Sequence, residues 1–110
     1  MLTVTGDEPA LEGPPSRAIE TAERVALVYE RTADVLEHSA SRAETHAQRQ
    51  QRSGLNRAAE EERRTAKRAR DAARQARDAA SQTRDAAQRA REAAQQTRSR
   101  ADERDHRTSR

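Results

Sequence analysis

Apolar and small side chains recur along this chain in steps of three and four, over two stretches that do not share a phase. The first runs through Ile19, Ala22, Ala26, Tyr29, Ala33, Leu36, Ala40, Ala43 and Ala47. In the second, Ala59, Ala66, Ala73, Ala80, Ala87 and Ala94 form one row, with Ala76 and Ala90 on the row beside it. Within that second stretch one phrase, Arg-Asp-Ala-Ala or Arg-Glu-Ala-Ala, opens at Arg70, Arg77, Arg84 and Arg91. A strict seven-residue repeat keeps one stripe of an α-helix turned toward a partner helix by slight supercoiling. Each stretch therefore predicts a helix, and each helix predicts a partner. Continued past residue 54, the first pattern would place Glu61 and Arg68 on the stripe, so the two patterns cannot belong to one straight seam.

The break falls at Arg52-Ser53-Gly54-Leu55-Asn56. Arg49 and Arg52 suit a helix C-terminus, Gly54 can take the left-handed conformation that ends a helix, and Asn56 can cap the next one. The expected organisation is a lead over 1–15, helix one over 16–52, a turn over 53–56, helix two over 57–105 and a frayed basic tail over 106–110. The lead carries Gly6, Pro9, Gly13, Pro14 and Pro15 among Asp7, Glu8 and Glu12, which reads as a flexible acidic segment. Ser16, directly after the two prolines, is the expected N-cap of helix one.

Folding the chain at Gly54 gives an all-α fold: a long antiparallel helical hairpin with a coiled-coil seam. Its intrachain seam pairs Leu36 with Ala73, Ala33 with Ala76, Tyr29 with Ala80, Ala26 with Thr83, Ala22 with Ala87 and Ile19 with Ala90. Large residues face alanine, as interdigitating layers require. Lettering each heptad so that the Ala26–Ala33–Ala40 and Ala66–Ala73–Ala80 rows are a, the e row is Glu23, Glu30, Glu37 and Glu44 on helix one and Arg63, Arg70, Arg77 and Arg84 on helix two. The reading expects Glu44, Glu37, Glu30 and Glu23 beside Arg63, Arg70, Arg77 and Arg84, a ladder that sets orientation and register.

The other flank is uncharged, and Val25, Val28, Tyr29, Thr32, Val35 and Leu36 form an apolar face on helix one. A hairpin whose second helix offers only alanine buries little against the cost of ordering the chain. Two hairpins are expected to dimerise through that face into a four-helix bundle.

Composition sharpens the picture. The chain has 110 residues, no Phe, Trp or Cys, a single Tyr, and 37% charged residues, which leaves no material for a globular core. Absence of cysteine excludes disulfides and thiolate metal sites. No stretch approaches the roughly 20 apolar residues of a membrane span, and residues 1 to 16 lack the layout of a secretory signal, so a soluble cytoplasmic protein is expected. Net charge is +3, with six basic residues against nine acids up to Leu55 and sixteen against ten thereafter. The second half could therefore attract an acidic partner.

Catalysis is not expected: His38, His46 and His106 are scattered along polar positions, no Gly-rich phosphate loop occurs, and no cofactor, metal or small-molecule substrate is implied. The expectation is a non-enzymatic scaffold or interaction protein, a homodimer with an unidentified protein partner. Accessory nucleic-acid binding is the alternative, with phosphate contacts from Arg64, Lys67, Arg68, Arg98, Arg100 and Arg104, although acids interrupt the basic run and no aromatic is placed for base stacking. A largely disordered stress protectant is a further reading, which predicts little cooperative melting.

The phrase from Ala22 to Ala33, AERVALVYERTA, followed by the Arg-Asp-Ala-Ala repeats, resembles the small Arg- and Ala-rich helical proteins of actinobacteria, a resemblance that brings no assigned activity. In outline the hairpin is similar to the secreted Trp-x-Gly helical hairpins, but Arg52-Ser53-Gly54 stands where their turn has tryptophan. The polar alanine helix is similar in composition to late-embryogenesis-abundant proteins, whose repeat is of eleven residues rather than seven.

Overall fold

A computed structural model describes residues 14–108. It contains two α-helices, α1 over Pro14–Arg52 and α2 over Asn56–Thr108, and only residues 53–55 between them are not helical. The chain divides into two compact units: Ala26–Ser81, and Met1–Val25 together with Gln82–Arg110. In the Ala26–Ser81 unit the end of α1 packs against the start of α2 as a helical hairpin.

The turn follows from local chemistry. Gly54 has φ 82°, a conformation that costs any residue with a Cβ but not glycine. The Leu55 amide donates to the Gln50 carbonyl at 2.8 Å, and the Gly54 amide to the Gln51 carbonyl at 3.0 Å. These are the two bonds of a Schellman motif, with Gly54 just past the helix end, and they satisfy carbonyls that α1 would otherwise leave open. The Ala59 amide donates back to the Leu55 carbonyl at 3.0 Å. Leu55 thus holds the capping position expected of Asn56, which is instead the first residue of α2. The reversal is so tight that one residue closes α1 and opens α2.

Both helices are longer than their expected bounds. α1 takes in Pro14 and Pro15, so Ser16 lies inside the first turn and does not cap it. Proline suits a first turn, where its missing N–H has no intrahelical acceptor and its fixed φ is already helical. The rest of the 1–15 lead lies outside the described residues. At the other end α2 continues to Thr108, three residues beyond 105, with His106 and Arg107 in the last turn where positive charge meets the negative helix end. Thr108 Oγ1 donates to the Arg104 carbonyl at 2.7 Å within this last turn, which takes in 106–108 of the expected tail. Residues 109 and 110 lie outside the described residues.

The interior is built from alanine alone. In the Ala26–Ser81 unit Ala26, Ala33, Ala40, Ala43 and Ala47 of α1 and Ala59, Ala66, Ala73 and Ala80 of α2 are buried; Ala87 is buried in the other unit. Among the described residues no larger side chain is buried. Ala40 and Ala43 cluster with Ala66 and Ala69, which sets the seam register. Apart from Ala43, a d position beside the turn, the buried positions are the a rows of both helices. Alanine there brings the axes toward the short end of the 8–10 Å helix spacing, leaving no room between them for a larger d residue. Leu36 and Ile19 are accordingly half-buried, and Tyr29 is 38% exposed. These three seam residues sit at the rim rather than filling the interior. Ala76 in the Ala26–Ser81 unit, and Ala22 and Ala90 in the other, are half-buried.

Candidate self-association surface

The two rims of the hairpin differ in kind, and the e rim carries charge. In the Ala26–Ser81 unit Arg70 makes a forked contact with Glu44, one arm being Nη2 to Oε1 at 2.6 Å. Arg77 grips Glu37 through Nη2 to Oε1 at 2.6 Å and Nε to Oε2 at 3.2 Å, and reaches Asp34 Oδ1 at 3.0 Å. Arg63 donates to the Gln51 side chain, closing the ladder at the turn. In the other unit Arg91 pairs with Glu23. Hydrogen bonds from Arg70 hold the Glu44 carboxyl below its ordinary range, and Glu37 and Asp34 raise the already high Arg77.

This ladder corrects the expected pairing by one heptad. Arg70 takes Glu44 rather than Glu37, Arg77 takes Glu37 rather than Glu30, and Glu23 takes Arg91 rather than Arg84. The seam register allows either diagonal. Every Cα–Cβ bond leans toward its own helix N-terminus, so across an antiparallel pair one diagonal converges and the other diverges. Glu44 and Arg70 are offset by about 7.5 Å along the axis but lean toward each other. Glu37 and Arg70 are closer in height but lean apart. Long guanidinium arms close the first gap and cannot mend the second. Asp34 was not singled out from the sequence, although its i, i+3 spacing from Glu37 on one helix was the available signal.

The d–g rim is apolar. Val28 is 59% exposed and Val35 68% exposed, and with Arg31, Thr32 and Leu36 they line a shallow groove along α1. Tyr29 lies beside it, and across it α2 presents Ala69, Ala72, Ala76 and Ala79, all half-buried. Leu27 is also exposed, on the side of α1 turned away from this rim. Val25 is 39% exposed and belongs to the other unit. The largest apolar side chains of the hairpin thus stand at its surface, while its smallest form its interior. Isolated exposed apolar residues are ordinary, but a contiguous run on one helix face is a candidate interaction surface.

The residues considered for phosphate contacts are interleaved with acids. Arg64 lies 4.0 Å from Glu60, and Lys67 Nζ lies 3.3 Å from Asp71, which also pairs with Arg74. Arg68 donates to Thr65 Oγ1 at 3.4 Å. In the other unit Arg98 lines a groove with Glu20 and Glu23, Arg100 lies near Glu92 and Glu103, and the Arg104 carbonyl receives Thr108. Of these cations Arg64 and Lys67 are thus drawn into ion pairs with acids one turn away on their own helix. Among the described residues no three His, Asp or Glu side chains converge as metal ligands, and no helix is long and apolar enough to cross a membrane. No protein-family model matches the chain, and no curated protein or solved structure matches it.

Proposed function

We propose that this protein is a non-enzymatic helical scaffold that self-associates as a dimer of hairpins, a four-helix bundle, and presents its outer faces to a protein partner. One observation carries the reading: the interior is alanine, while Val28, Tyr29, Val35 and Leu36 stand at the surface of one face. A buried CH2-sized group contributes about 0.8 kcal/mol and a whole Val or Leu about 1.5 to 3. The hairpin alone therefore leaves its most stabilising burial unused. A second copy on the same face would use it, and closed two-fold symmetry is the commonest way a surface meets itself.

Light scattering across a concentration series, with helicity recorded on the same samples, tests the reading. The expected result is a dimer mass with strong helicity that fall together on dilution. A fully helical monomer at every concentration would overturn it. The nucleic-acid alternative predicts that added duplex or single strands bind at low salt and dissociate steeply as salt rises.

A further inference from the structure

The charged rows outside the seam say how two copies would meet. In the Ala26–Ser81 unit the f positions, about half a turn from the seam, are Arg31, His38, Thr45 and Arg52 on α1 and Arg57, Arg64, Asp71 and Asp78 on α2, so the α2 row is acidic only away from the turn. Arg31, His38 and Asp78 are exposed. Arg17 and Arg24, with Asp85 and Glu92, repeat the signs in the other unit. The seam register set by Ala40, Ala43, Ala66 and Ala69 puts Arg31 level with Asp78 and His38 level with Asp71. Within one hairpin these rows point away from each other along opposite edges. Away from the turn Arg31 and Asp78 match in height and oppose in sign yet cannot meet inside the chain, whereas beside the turn Arg52 stands level with Arg57.

Resting on the self-association reading, we propose that the second copy is related by a two-fold axis running along the helices, so that α1 of each copy seats on α2 of the other. Two face-to-face arrangements close with two-fold symmetry. With the axis along the helices, every residue keeps its height, large Val28, Thr32 and Leu36 lie on the small Ala72, Ala76 and Ala79 of the partner's α2, and away from the turn Arg31 of α1 lies along the acidic Asp71–Asp78 stretch of the partner's edge. With the axis across the helices, α1 lies on α1: bulky side chains oppose bulky ones, alanine opposes alanine at a different natural spacing, and like-charged edges run together. Complementary edges favour the first, and like charges side by side disfavour the second. Neighbouring helices are antiparallel in both arrangements, so the helix dipoles do not choose between them and the side chains do.

The chain has no cysteine, so introduced thiols report geometry cleanly. Thr32→Cys and Ala79→Cys would be prepared separately, then each alone and the two mixed one to one would be refolded and oxidised with glutathione disulfide. The expected result is a mixed T32C–A79C disulfide dimer, resolved by mass, with little cross-linking of either variant alone. Cross-linking of T32C with itself, or no mixed disulfide in samples of dimer mass, would overturn the arrangement and leave the self-association reading standing. A monomer mass for the unaltered chain would overturn both. Charge reversal gives a second readout: Arg31→Glu and Asp78→Lys should each weaken the dimer several-fold at low salt, and the two together should restore it. Failure of the double variant to recover would count against the arrangement.

Discussion

Alanine at the a positions decides most of what is seen at single residues. Ala33 has no exposed surface, and the helix across the seam is held close by the same residue type at Ala73 and Ala80. Ala33→Leu should therefore be worse than its hydrophobicity suggests, because the added carbons have nowhere to go without spreading the helices. The expected loss is about 1 to 3 kcal/mol of stability, read as a lower midpoint in thermal or urea unfolding. A midpoint equal to or above that of the unaltered chain would mean that the seam is looser than the burial of Ala33 implies. The same closeness explains Tyr29 and Leu36. Their spacing marks them as seam residues, but spacing does not reveal how wide the gap is.

The Glu–Arg ladder belongs to the helix pair, because no single helix fixes which rungs meet. Arg70 hydrogen-bonds the Glu44 carboxylate and holds its pKa below the ordinary 4.5, so the folded form binds protons less readily there than the unfolded chain. The sign follows: this stabilisation is complete above the unfolded value and is lost as pH falls through the lower folded value. The thermal midpoint should drop when the pH is lowered from about 6 to about 3, and Arg70→Gln should make that drop smaller. Circular dichroism melts of both proteins at both pH values measure it. An unchanged acid dependence in Arg70→Gln would remove the rung from the account. The heptads made the ladder's existence legible, and Gly54 made the turn legible. The pairing one heptad away was not, because it depends on the lean of side chains across two helices and not on spacing along either.

For the whole molecule the question is whether the apolar face is covered. Leu36→Asp places a carboxylate at the inner rim of that face, whereas Ser41→Asp places one on the opposite side of α1, which is exposed. If copies pack through the face, Leu36→Asp should abolish assembly in light scattering and lower the melting midpoint, because a carboxylate there is either desolvated or keeps the partner out. Ser41→Asp should leave mass and midpoint within about 0.5 kcal/mol of the unaltered chain. Equal behaviour of the two variants would remove the face from the assembly.

The amino-acid sequence by itself determined two helices, their partner-seeking stripes, the turn at Gly54 and a charged flank of opposite signs. All of these are periodicities or local backbone preferences, set by residues within a turn or two of each other. Only the tertiary structure decided that the a rows close on each other until nothing larger than alanine fits, that Tyr29 and Leu36 lie at the rim, and that Glu44 meets Arg70. Those outcomes depend on the distance between two helix axes and on side-chain direction across them, quantities that exist only once the chain has folded back on itself.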